Sequence, residues 1–335
     1  MNDFTRLVDL AAERLGGAVP LANDEFFAPR ESLLRAQAPE WREGEYTDRG
    51  KWMDGWETRR RRTPGHDWCI VRLGMPGVIH GFDVNTAFFT GNYPEHCSIE
   101  ACAVDGQPDP AALAADDSLW TEILPKSALQ GDSQNLFPVA SRERWTHLRF
   151  HIYPDGGVAR LRVHGDVAPD WRRLAARGGE VDLAAMENGG LVLRCSDMHY
   201  GNPANMTLPG RSTHMGDGWE TKRRRGPGHD WSIVRLGAPG TVRRIEIDTD
   251  HFKGNAPGSC SVEAIHAPGA TAEELSELSR PWTPLLERTD LQPHTRHRFE
   301  DEVAALPPVT HVRINIYPDG GIARFRVLGT PELGG

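Results

Sequence analysis

The stretch Asp54-Gly55-Trp56-Glu57-Thr58-Arg59-Arg60-Arg61-Arg62-Thr63-Pro64-Gly65-His66-Asp67-Trp68 returns 163 residues later, from Asp217 to Trp231, with two changes. A long pattern repeated at a fixed offset marks two copies of one structural unit, so the chain cannot be a single undivided domain. Residues 54–101 align with 217–264 without a gap and agree at 29 of 48 positions. A second signature closes each copy: residues 146–163 and 310–327 agree at 13 of 18 positions, around Ile-Tyr-Pro-Asp-Gly-Gly. The entries match as well, Asp9-Leu10-Ala11-Ala12 with Asp182-Leu183-Ala184-Ala185, but at an offset of 173, which leaves ten extra residues in the polar stretch 38–52 of the first copy. Two domains follow, 1–175 and 176–335, each large enough for its own core.

Within each copy, hydrophobic runs are short and closely punctuated. Residues 69–74 and 232–237 read as strands, Pro-Gly turns separate them from further strands at 78–84 and 242–247, and 98–101 and 261–264 supply another pair. Pro-Asp-Gly-Gly reads as a tight turn. The alternation of Ala159, Leu161 and Val163 with Arg160 and Arg162 predicts a strand with one apolar face and one wet, guanidinium-bearing face. Residues 3–15 read as a short amphipathic helix ended by Gly16-Gly17, residues 108–117 and 268–277 as small helices or surface excursions, and residues 167–177 as a bridge. Many short strands with little helix predict an all-β protein built of two tandem sandwiches.

Charge narrows the partners. With 38 basic and 47 acidic residues the net charge is −9, which opposes general attraction to nucleic acid or to an anionic membrane, so the arginine runs need a local explanation. The first residues lack the basic start and apolar centre of a secretory signal, and a cytoplasmic location is expected. Five cysteines, an odd number without metal-type pairing, read as free and mostly buried thiols.

Asp-Gly-Trp-Glu-Thr, an arginine run, Pro-Gly-His-Asp-Trp, Ile-Val-Arg-Leu-Gly, Phe-x-Gly-Asn and Ile-Tyr-Pro-Asp-Gly-Gly-x-Ala-Arg occur in that order in both copies. The combination resembles the allantoicase family over nearly the whole chain. The resemblance implies two jelly-roll sandwiches similar to galactose-binding domains, hydrolysis of allantoate to ureidoglycolate and urea in purine degradation, and a homo-oligomer.

Allantoate is a carboxylate bearing two ureido groups on one carbon. Breaking one carbon–nitrogen bond calls for a cation to hold the carboxylate, polar groups for the ureido arms, and an acid/base pair. Glu57, His66, Asp67, Glu220, His229 and Asp230 are the acid/base candidates. Arg60, Arg61, Arg223 and Arg224 are the candidate carboxylate grips, because a planar guanidinium meets a carboxylate through two parallel hydrogen bonds. Asn92 and Asn255, in loops of the kind that gather at one end of a sandwich, are the candidates for the ureido arms. Each has a bland alternative: solvated loop charge for the arginines, a backbone-bonding turn for His-Asp, and a tight Gly-Asn turn for the asparagines. Trp56, Trp68, Trp219 and Trp231 read as core anchors, and Arg72 and Arg235 as partners of carboxylates such as Glu100 and Glu263.

The copies differ where Asn85, Phe88, His96 and Phe26-Phe27 become Asp248, His251, Ser259 and His199-Tyr200. One copy could house the reaction while the other supports structure, or a site could form between copies or subunits. No nucleotide-binding or serine-nucleophile motif is present, so no nucleotide cofactor is expected; a divalent metal held by His and Asp stays open, without a spacing that supports it. Two other functions compete: a related enzyme acting on ureidoglycolate, and a non-catalytic tandem carbohydrate-binding module.

Overall fold

A computed structural model describes residues 4–104, 106–176, 178–277 and 281–333. The chain divides into two compact units, Met1–Ala168 and Pro169–Gly335. Both are all-β, each with one eight-stranded antiparallel sheet. In the first unit a 19-residue strand, Asp67–Asn85, belongs to both halves of that sheet. Its first half pairs with Ala18–Ala22 and with Arg144–Tyr153, which continues to His96–Cys102 and Thr121–Ala128. Its second half pairs with Gln134–Pro138 and with Arg160–Val167, which continues to Val8–Asp9. The sheet thus folds over along this strand into two layers. The second unit repeats the scheme around Asp230–Asp248, and one core takes Val234 and Leu236 from the first half of that strand and Ile245 and Ile247 from the second. This is the sandwich that the short alternating runs predict.

The long strand corrects the expectation of separate strands on either side of Pro-Gly. Pro76-Gly77 does not reverse the chain; it lies where the strand exchanges one set of partners for another, between the Arg72 and Gly77 pairings. A proline lacking its N–H is tolerated at such an interruption in the ladder. Gly77 is required there because a Cβ would lie 2.4 Å from the Asp166 carbonyl oxygen.

Residues 4–15 also depart from expectation: the segment forms 3-10 turns at Phe4–Arg6 and Glu13–Leu15 with a short edge strand, Val8–Asp9, between them. The sheet edge competes with the helix for backbone groups. Leu10 N–H bonds the Val163 carbonyl, and the Asp9 carboxylate accepts from Ala11 N–H and Val163 N–H. Asp3, the start of the expected helix, and Arg177, the end of the expected bridge, lie outside the described residues. The bridge contains the helix Trp171–Ala176, whose Trp171 packs on the second core. The small helices form at Pro110–Ala115, capped by Asp109, and Ala272–Ser276, with a Thr271–Glu274 capping box.

The arginine face of Arg160–Val167 is not wet. Arg160 is 1% exposed, and its guanidinium donates to Asp54 Oδ2 at 2.6 Å, to Asp54 Oδ1 at 3.2 Å and to three backbone carbonyls besides that of Asp54. Arg324 binds Asp217 in the second unit in the same way. The arginine ending the closing signature therefore fastens the aspartate that begins the opening one.

Candidate functional site

The repeated motifs meet at one junction in each unit. Thr58 N–H bonds the Gly156 carbonyl and Asp155 accepts from Arg61 N–H, joining the opening signature to the Pro-Asp-Gly-Gly turn. Phe89 of Phe-x-Gly-Asn covers Gly157 so closely that a Cβ there would come within 1.9 Å of its ring. Asn92 accepts from Gly157 N–H through its carbonyl and donates from its side chain to Glu57 Oε1 at 2.7 Å. Burial raises the Glu57 carboxyl above its ordinary range, and the Asn92 hydrogen bond only partly opposes this. Glu220 and Asn255 repeat the contact at 2.6 Å, and Asn255 Nδ2 also meets Met215 Sδ.

The arginine runs divide by position. Arg59 binds Asp24. Arg61 turns back to Asp67 at 3.2 Å and to the His66 carbonyl, while Arg60 and Arg62 are exposed. Arg224 pairs with Asp230 in the second unit, and Arg223 and Arg225 are exposed. Asp67 is 4% exposed and also accepts from Asn23, so this aspartate braces the loop. Asp230 is braced by Ser196 Oγ at 2.9 Å.

His66 faces a different neighbourhood. On Arg144–Tyr153 the residues Leu148, Phe150 and Ile152 point into the core and are fully buried, so Arg149, His151 and Tyr153 share the outer face. Ser98 and Glu100 lie directly across from His151 and Arg149. These side chains, with His66, Trp68, Ala114, Asp117 and Glu122, line a cavity of about 390 Å³. Glu100, not Arg72, is the residue engaged here: Arg149 Nε donates to Glu100 Oε2 at 2.6 Å and Arg149 Nη1 to Asp117 at 2.7 Å. Arg72 instead donates to the Gly16 carbonyl, and Glu263 pairs with Arg313, which corrects the expected partners of these carboxylates.

His151 Nε2 lies 2.8 Å from Glu100 Oε2, and His66 Nε2 lies 2.9 Å from His151 Nδ1. Burial raises the Glu100 carboxyl, but hydrogen bonds from Arg149 and His151 outweigh it and hold the group below its ordinary range. Burial also lowers both histidines, His66 further through His151, Arg61 and Lys126 nearby, and for His151 against the opposing pull of Glu100. The charges assign the tautomers. An ionised Glu100 takes the His151 Nε2–H, His151 Nδ1 then accepts from His66 Nε2–H, and His66 Nδ1 is left as a basic lone pair. The His66 ring lies against Tyr153 at 4.4 Å between centroids, and the Lys126 ammonium stands 4.4 Å from the centre of the Tyr153 ring.

The second unit keeps the frame and changes the middle residue. His229 Nε2 meets Asn315 Oδ1 at 3.2 Å, Asn315 Nδ2 donates to Glu263 Oε2 at 3.0 Å, and Tyr317 and Ser261 repeat Tyr153 and Ser98. An amide orients an imidazole but cannot pass a proton along. The difference between His151 and Asn315 is one of five within the closing signature, and nothing along the chain sets it apart from the others. What signal there is lies in the period-two pattern Arg149, His151, Tyr153 beside a shared tyrosine. Glu57 and His66 therefore stand in separate hydrogen-bonded groups. Among the described residues no three His, Cys, Asp or Glu side chains gather as a metal ligand set.

Two repeats of the family model described as "Allantoicase repeat" match residues 8–168 and 181–332. A probable allantoicase of Pseudomonas aeruginosa is 50% identical over 331 residues, 98% of each chain. The allantoicase of Dictyostelium discoideum is 50% identical over 95% of this chain and 86% of its own. The crystal structure of allantoicase from Saccharomyces cerevisiae superposes with a TM-score of 0.81 at 36% identity, over 96% of this chain and 92% of that one.

Proposed function

Because the chain belongs to the allantoicase family, we propose that it hydrolyses allantoate to ureidoglycolate and urea, and that the cavity beside His66 in the first unit is where the reaction runs. The observation supporting that location is the Glu100–His151–His66 chain of hydrogen bonds, which ends in a free basic nitrogen at a cavity. Arg61 and Lys126 make the surroundings of His66 positive, the sign that attracts a carboxylate.

With allantoate bound, its carboxylate offsets these cations and raises the proton affinity of His66. His66 Nδ1 then takes a proton from the attacking water. The water oxygen bonds to the central carbon, the bond from that carbon to one ureido nitrogen breaks, and the proton passes to that nitrogen, releasing urea. The positive charge formed on His66 is stabilised through His151 by ionised Glu100, as in other base–orienter pairs. An eliminative order, with urea leaving before water adds, uses the same proton transfers. Glu57, kept protonated more readily by burial and fixed by Asn92, is a second acid in the unit.

The test is to incubate purified protein with allantoate and follow urea and ureidoglycolate together, with ureidoglycolate alone as the competing substrate. Equal amounts of both products from allantoate, and their loss in His66→Gln, support the reading. Urea from ureidoglycolate but not from allantoate would refute it. A homo-oligomer in the cytoplasm belongs to the same proposal and is checked by light scattering and cell fractionation.

A further inference from the structure

A second cavity of the first unit, about 500 Å³, lies on the outer face of the other layer, lined by Asp9, Arg14, Asp83, Gln134, Leu136, Arg162 and His164 among others. Asp83 is 6% exposed; Gln134 Nε2 donates to its Oδ2 at 3.1 Å, and its Oδ1 has no hydrogen-bond partner. A buried carboxylate oxygen left unpaired is costly, so its neighbours ought to have supplied a donor. Arg162, the nearest strand neighbour, is already engaged by Asp9 and by the carbonyls of Leu34, Arg35 and Ala36. His164 donates from Nδ1 to the Leu7 carbonyl, which leaves Nε2 as an acceptor.

The duplicated unit shows what chemistry fills this place. Asp83 corresponds to Glu246, and the strand pairings Asp83 with Leu136 and Asn85 with Gln134 correspond to Glu246 with Arg298 and Asp248 with Arg296. Glu246 is ringed by guanidinium groups: Arg296 binds Oε2, Arg298 stands 3.3 Å from Oε1 and Arg244 3.8 Å from Oε1. In the first unit those three arginines are Gln134, Leu136 and Gly81, and the Phe4 ring occupies the space beside Gly81. The carboxylate has been kept and its guanidinium partners removed, with a cavity in their place.

We infer that the Asp83 cavity of the first unit is a binding site for a small guanidinium-bearing ligand, which takes the position that arginine side chains occupy in the second unit. The planar fork fits a carboxylate through two parallel N–H bonds, and Asp9 and His164 add acceptors around it. Entry requires the exposed Gln134 side chain to swing aside. This inference is independent of the reaction at His66.

Ligand-observed NMR with methylguanidinium tests it on the full chain. The wild type is expected to show saturable millimolar binding, and urea, which has the fork without the charge, at least about tenfold weaker binding. Asp83→Asn should weaken methylguanidinium at least tenfold. The double variant Gln134→Arg, Leu136→Arg keeps Asp83 and copies an arrangement with which the second unit already folds; it should abolish binding, with its melting temperature confirming the fold. No saturable binding to the wild type, unchanged binding to the double variant, or urea binding as well as methylguanidinium would overturn the inference.

Discussion

His151→Asn is the substitution that best separates a proton relay from a scaffold, since the molecule has already made it at Asn315. There the amide holds His229 by Oδ1 and Glu263 by Nδ2, so the same change at 151 keeps the His66 ring oriented and its Nε2 proton bonded. What it removes is the second imidazole on which positive charge can rest. A proton on His151 lies 2.8 Å from Glu100. At an effective dielectric of about 20 that contact contributes roughly 6 kcal/mol of attraction, against roughly 2 kcal/mol when the charge must stay on His66 about 8 Å away. The difference, about 4 kcal/mol, is a ceiling, because burial of His151 opposes its charging. The expected loss is therefore about 10²- to 10³-fold in kcat, within the usual range for positioned acid–base groups, with KM changed little. Initial rates of urea release from allantoate across pH measure it, with thermal melting as the check on folding. A kcat within threefold of wild type, or a loss confined to KM, would refute the relay.

Three other outcomes are expected. Burial lowers both His66 and His151, and a histidine depressed in the folded state takes up protons less readily than in the unfolded chain; stability should hold above about pH 6.5 and fall as acidity passes through the folded values, and His151→Asn should flatten this in a pH series of urea melts. Arg160→Ala leaves buried Asp54 with only the half-exposed Arg35 and the Glu40 N–H as partners, so it should cost about 3 kcal/mol and lower the first unit's melting transition, whereas exposed Arg60→Ala should change it by less than about 0.5 kcal/mol. Glu57→Gln keeps an oxygen for Asn92 to bond but removes the proton; if Glu57 supplies the acid, kcat should drop at least about tenfold with the melting temperature held, and unchanged kcat would remove Glu57 from the chemistry.

The duplication carried most of what the sequence revealed about the fold, because an offset of 163 maintained over 48 positions leaves little choice but two like units. Strand content followed from short alternating runs. The misreadings had local causes. Pro76-Gly77 carries the usual sign of a turn, yet within a bent strand the same pair marks an exchange of partners. Arg160 alternates like a solvent-facing residue, and only the return of Asp54 over it, 106 residues away in sequence, makes it buried. Glu57, Asn92 and their counterparts were legible as candidates because they recur, and the fold joins them in pairs. His151 was not, because along the chain it is one more outward residue of an alternating strand. Its partner Glu100 lies on another strand, and no spacing along the chain connects them.

The strand Asp67–Asn85 has a mechanical meaning. Its two halves are rungs in opposite layers, so neither layer can peel away without dragging the other's central ladder with it. Amide protons at Ile70 and at Val84 should therefore exchange with deuterium at one common free energy, that of losing the whole unit, despite sitting in different layers. The same continuity places the base-bearing loop at one end of a rod whose far half carries Asp83.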